Sequence, residues 1–255
     1  MKIRILTDTA CDMEIEEANS LGIELVPIQI EVDGNNYRDL YDLPKNKFYE
    51  LLSKTDSFPK TSQPSVDTFR KYFKQAQKDN ETLICILLSS ALSGTVQSAN
   101  LAKDLVGYSE IYIVDSLAAV CAQKLLVMKA YEMANSGKSI QEILDEIKYM
   151  QEHLCVFAMI DTLEYLHRGG RLTKTQARLG SLINLKPIIT INRDGSLSVI
   201  DKCLGRARSY SLIMKKVQEY PIDDNYDVYY TYSYGTENCD IFASKIEKVL
   251  GGKNQ

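Results

Sequence analysis

Over the first 150 residues, short apolar runs of strand type alternate with longer stretches that repeat at helical spacing. Residues 3–7 predict a strand, and a helix follows near 12–21. Residues 23–32 read as extended, interrupted by Pro27, with a turn signal at Asp33-Gly34. Pro44 suits the first turn of a helix reaching about residue 53. Ser65 is placed to cap another helix through about residue 78. Residues 82–88 are apolar almost without break, as in a strand covered on both faces. A helix over 95–105, a strand at 111–114 and helices near 117–134 and 139–151 continue the series.

A second unit is expected to begin at residue 154. It has a strand at 154–160, helices near 162–168 and 174–183, and extended runs at 187–192 and 197–202. Arg193-Asp194-Gly195 reads as the hairpin loop between those runs. A helix at 206–220, a strand at 226–232 and a helix at 237–250 finish the chain. The pattern predicts a two-domain α/β protein. Residues 1–153 form a mainly parallel sheet flanked by helices, and residues 154–255 a smaller α/β domain. In parallel sheets ligands settle beyond the carboxyl ends of the strands. That directs attention to Asp8-Thr9, Ser89-Ser90 and Asp115-Ser116, each polar and each following an apolar run.

The densest polar cluster is SSALSGT at 89–95, between an apolar strand and a helix. Hydroxyls and backbone N–H groups at a helix start favour an anion, and Gly94 allows close approach to the backbone. The plainer alternative is that Ser93 or Thr95 only caps the helix. A second cluster, TSQPS at 61–65, also precedes a helix. Pro64 holds Gln63 extended, which presents Thr61 and Ser62 as loop donors; taken alone it reads as a capping segment. Asp8, Thr9 and Asp12 read as structural, with Asp12 capping the first helix.

Composition narrows the classes. A formal charge of −4 gives no global attraction to nucleic acid or an anionic bilayer. The six cysteines are widely spaced without a C-x-x-C pair, so neither a zinc site nor a redox pair is expected. No stretch approaches the roughly 18 apolar residues of a membrane span, and no signal-like segment opens the chain. A reduced, cytoplasmic protein is expected.

TSQPS at 61–65, SSALSGTVQSA at 89–99, ILTDTACDM at 5–13, VDS at 114–116, DTLEYLHRGGRL at 161–172 and LINLKPIITINRDG at 182–195 together resemble the DegV family of fatty-acid-binding proteins. The motifs keep the family's order. The resemblance implies a two-domain carrier, without cofactor or catalysis of its own, that encloses a long-chain fatty acid between its domains. It implies that Thr61 and Ser93 hydrogen-bond the carboxylate, with Ser62, Gly94 and Thr95 as neighbours. FakB-like members present the carboxylate to a separate fatty acid kinase, which forms an acyl phosphate for phospholipid synthesis. The expected partners are therefore the fatty acid, a kinase subunit and, transiently, a membrane surface.

Arg168-Gly169-Gly170-Arg171 lies where the family docks its kinase, so Arg168 and Arg171 are the expected partner contacts. By residue type alone the stretch reads as a helix C-cap with solvated arginines. The basic run Arg206, Arg208, Lys215 and Lys216 reads as a solvated helix face. Family chains usually continue past the final helix into a strand and a Gly-rich segment carrying a histidine near the carboxylate. This sequence stops at VLGGKNQ, and its histidines are His153 and His167. It reads as a short form of the pattern, natural or truncated, with a more open head-group site and kinase delivery in question.

Two rival classes fit the residues less well. A serine hydrolase built on Ser93 needs a base and a G-x-S-x-G turn, and the sequence reads A-L-S-G. A phosphocarrier or kinase-like α/β domain needs a phosphate loop or a histidine after a strand, and neither occurs. The carboxylates show no metal-ligand spacing with histidine.

Overall fold

The computed structural model describes residues 2–177 and 184–248. The chain divides into two compact units, Met1–Leu154 and Cys155–Gln255.

The first unit runs β1 (Ile3–Asp8), α1 (Ile15–Leu21), β2 (Glu24–Val26), β3 (Gln29–Val32), β4 (Asn35–Arg38), α2 (Lys45–Lys54), β5 (Lys60–Ser62), α3 (Val66–Asp79), β6 (Thr82–Leu87), α4 (Thr95–Val106), β7 (Ile111–Asp115), α5 (Val120–Asn135) and α6 (Ile140–His153). A parallel sheet in the order β2-β1-β6-β7 forms its centre. Every residue of β6 is buried, which explains its unbroken apolar sequence. Leu83, Cys85 and Leu87 point to one face, where Phe69, Phe73 and Ala76 of α3 and Ala99 and Ala102 of α4 complete a core. Ile84 and Ile86 point the other way, towards the face that α5 covers.

A second, antiparallel sheet has the order β4-β3-β5. Pro27 breaks the extended run as expected, and its two halves join different sheets. Asp33 and Gly34 both have positive φ in the β3–β4 turn, the conformation that tight hairpins favour. Ile30 and Val32 pack with Leu43, Phe48 and Leu51 in a small separate core. Thr61 and Ser62 lie on the strand β5 rather than in the loop that the sequence predicts.

The second unit comprises β8 (Phe157–Met159), α7 (Glu164–Arg168), α8 (Lys174–Ala177), β9 (Leu185–Ile191), β10 (Leu197–Leu204), α9 (Arg206–Val217) and α10 (Glu237–Ile246). Its sheet is antiparallel, in the order β10-β9-β8. Ile188, Cys203 and Ile213 form its core with Phe157, Met159 and Phe242 around them. The strand expected at 226–232 is absent: those residues lie outside any strand. Their run of tyrosines has high β-propensity, but such a run becomes a strand only where a neighbouring edge pairs with it. The ends of the helices expected at 174–183 and 237–250, and the VLGGKNQ terminus, fall partly or wholly outside the described residues.

Candidate functional site

The carboxyl ends of β1, β6 and β7 carry three polar segments, and hydrogen bonds tie them to one another. Asp8, fully buried at the end of β1, accepts the Ala10 N–H at 3.0 Å and the Leu88 N–H at 2.8 Å. Gln123 of α5 reaches the same place. Its Nε2 donates to Thr7 Oγ1 at 3.0 Å and more weakly to Asp8 at 3.4 Å. Burial pushes the Asp8 carboxyl up to about 6, against the downward pull of its N–H partners.

Beyond Leu88 the chain turns sharply. The Ser89 carbonyl accepts the N–H groups of Leu92 and Ser93, and buried Ser89 Oγ accepts the Ala91 N–H. Asp115, at the end of β7, braces the same turn by accepting the Ser90 N–H at 3.1 Å. These bonds deliver Ser93 to the start of α4. Its hydroxyl lies 2.8 Å from Thr95 Oγ1 and accepts the Thr95 N–H at 3.3 Å. Gly94 is the N-cap residue and brings no capping side chain. Ser93 meets the plainer reading in part, since its hydroxyl accepts the first N–H of the helix.

The other segment comes from the antiparallel sheet. Thr61 and Ser62 pair with Ile30 and Gln29 of β3 and are exposed. Ser65 caps α3 as expected, accepting the Thr68 N–H, and Pro64 is buried between them. Gln63 crosses to the α4 turn: a Cβ placed on Gly94 would meet its side-chain amide at 2.8 Å. The two hydroxyl-bearing segments therefore meet at Gln63 and Gly94. Sequence reasoning identified both segments and missed this contact, which joins residues in different sheets and helices.

No lysine or arginine occurs in either segment; the nearest in sequence, Lys60, pairs with Glu31. The donors around Ser93 are neutral hydroxyls, amides and backbone N–H groups. They can orient an anionic group by hydrogen bonding without adding a full positive charge. Among the described residues no group of three or more His, Cys, Asp or Glu could hold a metal ion. Ser93 has Thr95 as its hydroxyl partner, whereas the ring of His153 bonds the Tyr149 carbonyl and that of His167 the Leu172 carbonyl. Among the described residues, no histidine is a hydrogen-bond partner of the Ser93 hydroxyl.

Asp12 does not cap the first helix. It has left-handed φ at the end of a 3₁₀ turn, Thr9–Cys11, and pairs with Lys45 at 2.6 Å. The helix α1 instead starts after Glu14, without a side-chain cap. Leu117 and Val120, flanking the loop after β7, also have positive φ. That is a strained conformation for a β-branched residue such as Val120.

In the second unit, Arg168 pairs with Glu164 one turn back, and Arg171 donates to the Gly169 carbonyl. The N–H groups of Arg171 and Leu172 return to the Leu166 carbonyl, and Gly170 has φ +80°. This is a glycine-terminated helix end, as residue type alone suggested. Arg206 departs from the solvated-face reading: it bonds Asp161 and the Asn238 side chain.

A family model described as "Uncharacterised protein, DegV family" matches residues 2–254. A DegV domain-containing protein of Caldanaerobacter subterraneus is 37% identical over 222 residues, covering 87% of this chain and 79% of that protein. Among solved structures, a fatty-acid-binding DegV family protein of Thermus thermophilus matches with a TM-score of 0.87 and 28% identity, covering 100% of this chain and 90% of the other. A stearic-acid-binding protein of Eubacterium ventriosum matches with a TM-score of 0.87 and 25% identity, covering 99% and 89%.

Proposed function

The chain belongs to the DegV family, and from that premise we propose that it is a non-catalytic carrier of a long-chain fatty acid. The hydroxyls of Thr61 and Ser93 hold the carboxylate, with Ser62, Gly94 and Thr95 beside them, and the tail is buried in the protein. The observation that carries this reading is the meeting of the two hydroxyl-bearing segments at Gln63 and Gly94. Fatty-acid binding by the Thermus and Eubacterium proteins of the same fold supports the ligand class.

The energetics divide the work between tail and head. Burying a sixteen-carbon tail contributes about 0.8 kcal/mol per methylene, roughly 11 kcal/mol gross. Each hydrogen bond to the charged carboxylate adds about 1.5–3 kcal/mol, much of it offset by desolvation. The tail sets affinity and the hydroxyls set orientation. Neutral donors also suit a head group that must later accept a phosphoryl group, because a fixed cation would compete for it. Presentation to a fatty acid kinase, with Arg168 and Arg171 at the docking surface and transient membrane contact, completes the proposed role.

The test is a folded Thr61→Ala/Ser93→Ala double variant, assayed for fatty-acid affinity beside its thermal midpoint. Losing two charge-assisted hydrogen bonds is expected to weaken binding by about tenfold or more, with the midpoint little changed. Equal affinity in the double variant would put the head group elsewhere.

A further inference from the structure

Gln63 makes a contact between the two hydroxyl-bearing segments. A Cβ on Gly94 would lie 2.8 Å from its Nε2, 3.0 Å from its Cδ and 3.2 Å from its Oε1. The amide therefore occupies the space that a Cβ on residue 94 would take. Gly94 has φ −77° and ψ 11°, which other residues adopt readily. Backbone conformation does not demand glycine here; a Cβ would instead displace the exposed Gln63 amide from this position.

The Gln63 amide offers two N–H donors and one acceptor. None of the three is hydrogen-bonded to another residue among the described ones. Thr61 and Ser62 precede it in sequence, and Ser93 and Thr95 flank the glycine it approaches. An amide with open donors, next in sequence to these hydroxyls, is matched to a ligand made of acceptors.

We propose that Gln63 is a specificity-determining residue of the head-group site: seated on Gly94, its amide donates to the ligand's carboxylate and selects it over an uncharged head group. This rests on the fatty-acid reading above. The chemistry gives a sharp contrast. Glutamate has nearly the shape of glutamine, but it replaces the two donors with a second acceptor and a negative charge. It repels a carboxylate and tolerates an alcohol, which can donate to it. An alanine at position 94 removes the seat without touching the amide's chemistry.

The experiment measures the affinity of the full chain for hexadecanoate and for 1-hexadecanol at pH 8, with circular dichroism confirming the fold of each variant. Gln63→Glu is expected to weaken hexadecanoate about tenfold or more while 1-hexadecanol changes little. Gln63→Ala and Gly94→Ala are each expected to weaken hexadecanoate several-fold. The double variant should lose no more than the weaker-binding single one, since both changes remove the same contact. Unchanged hexadecanoate affinity in Gln63→Glu, or fully additive losses in the double variant, would overturn the proposal while leaving the carrier reading intact. A wild-type chain that binds neither lipid removes the carrier reading, and the selectivity proposal with it.

Discussion

The carboxylate of Asp8 accepts the backbone N–H of Leu88 at 2.8 Å, joining residues 80 apart in sequence. That bond ties the end of β1 to the first residue of the turn that delivers Ser93. Gln123 adds a third point from α5, through Thr7 and Asp8. The head-group loop is therefore positioned by a buried acid that cannot itself reach solvent.

Burial of Asp8 makes this bracing sensitive to pH. Desolvation is the largest influence and raises the carboxyl, the Leu88, Ala10 and Gln123 donors lower it, and nearby Asp39 raises it again, for a value of about 6. The folded chain keeps the proton to about pH 6, while an unfolded chain releases it near pH 4. The contribution of this group to stability is thus full below about pH 4 and declines as pH rises through 6, by about 3 kcal/mol. Asp8→Asn cannot ionise, so urea unfolding of the variant should lack that part of the decline. It should also be less stable at low pH, because one side-chain oxygen cannot serve both Ala10 and Leu88. Asp39, also raised mainly by burial, keeps its share of the slope in both proteins. Parallel profiles for wild type and variant would show that Asp8 ionises freely in the fold.

The arginine pair yields a second test, in which structural and partner roles separate. Gly170 has φ +80°, so Gly170→Ala should cost about 1 kcal/mol of stability. Arg171→Ala removes the bond to the Gly169 carbonyl and should leave fatty-acid affinity unchanged. If Arg171 docks a kinase, this variant lowers turnover of acyl phosphate with that partner. Equal turnover would reduce Arg171 to a helix-end residue. Turnover lost equally in Gly170→Ala would assign the effect to the turn rather than the cation.

Much of this architecture is legible in the residues themselves. The unbroken apolar run of β6, the break at Pro27, the Asp33-Gly34 turn and the Ser65 cap each follow from local chemistry, and each occurs. The strands β4 and β5 do not announce themselves. Asn-Asn-Tyr-Arg and Lys-Thr-Ser are short and polar, and they become strands because β3 pairs with both. The tyrosine-rich run at 226–232 errs in the opposite direction, having the propensity without the ladder. In the site, the Ser and Thr residues mark themselves by type and place after apolar strands. The seat of Gln63 on Gly94 and the tie from Asp8 to Leu88 are tertiary contacts, which no periodicity encodes.

The most direct test of the central claim is the ligand itself. The purified chain, denatured and extracted for mass spectrometry, should release a long-chain fatty acid, or bind one tightly when it is added. A lipid-free chain that also refuses added fatty acids would contradict the account.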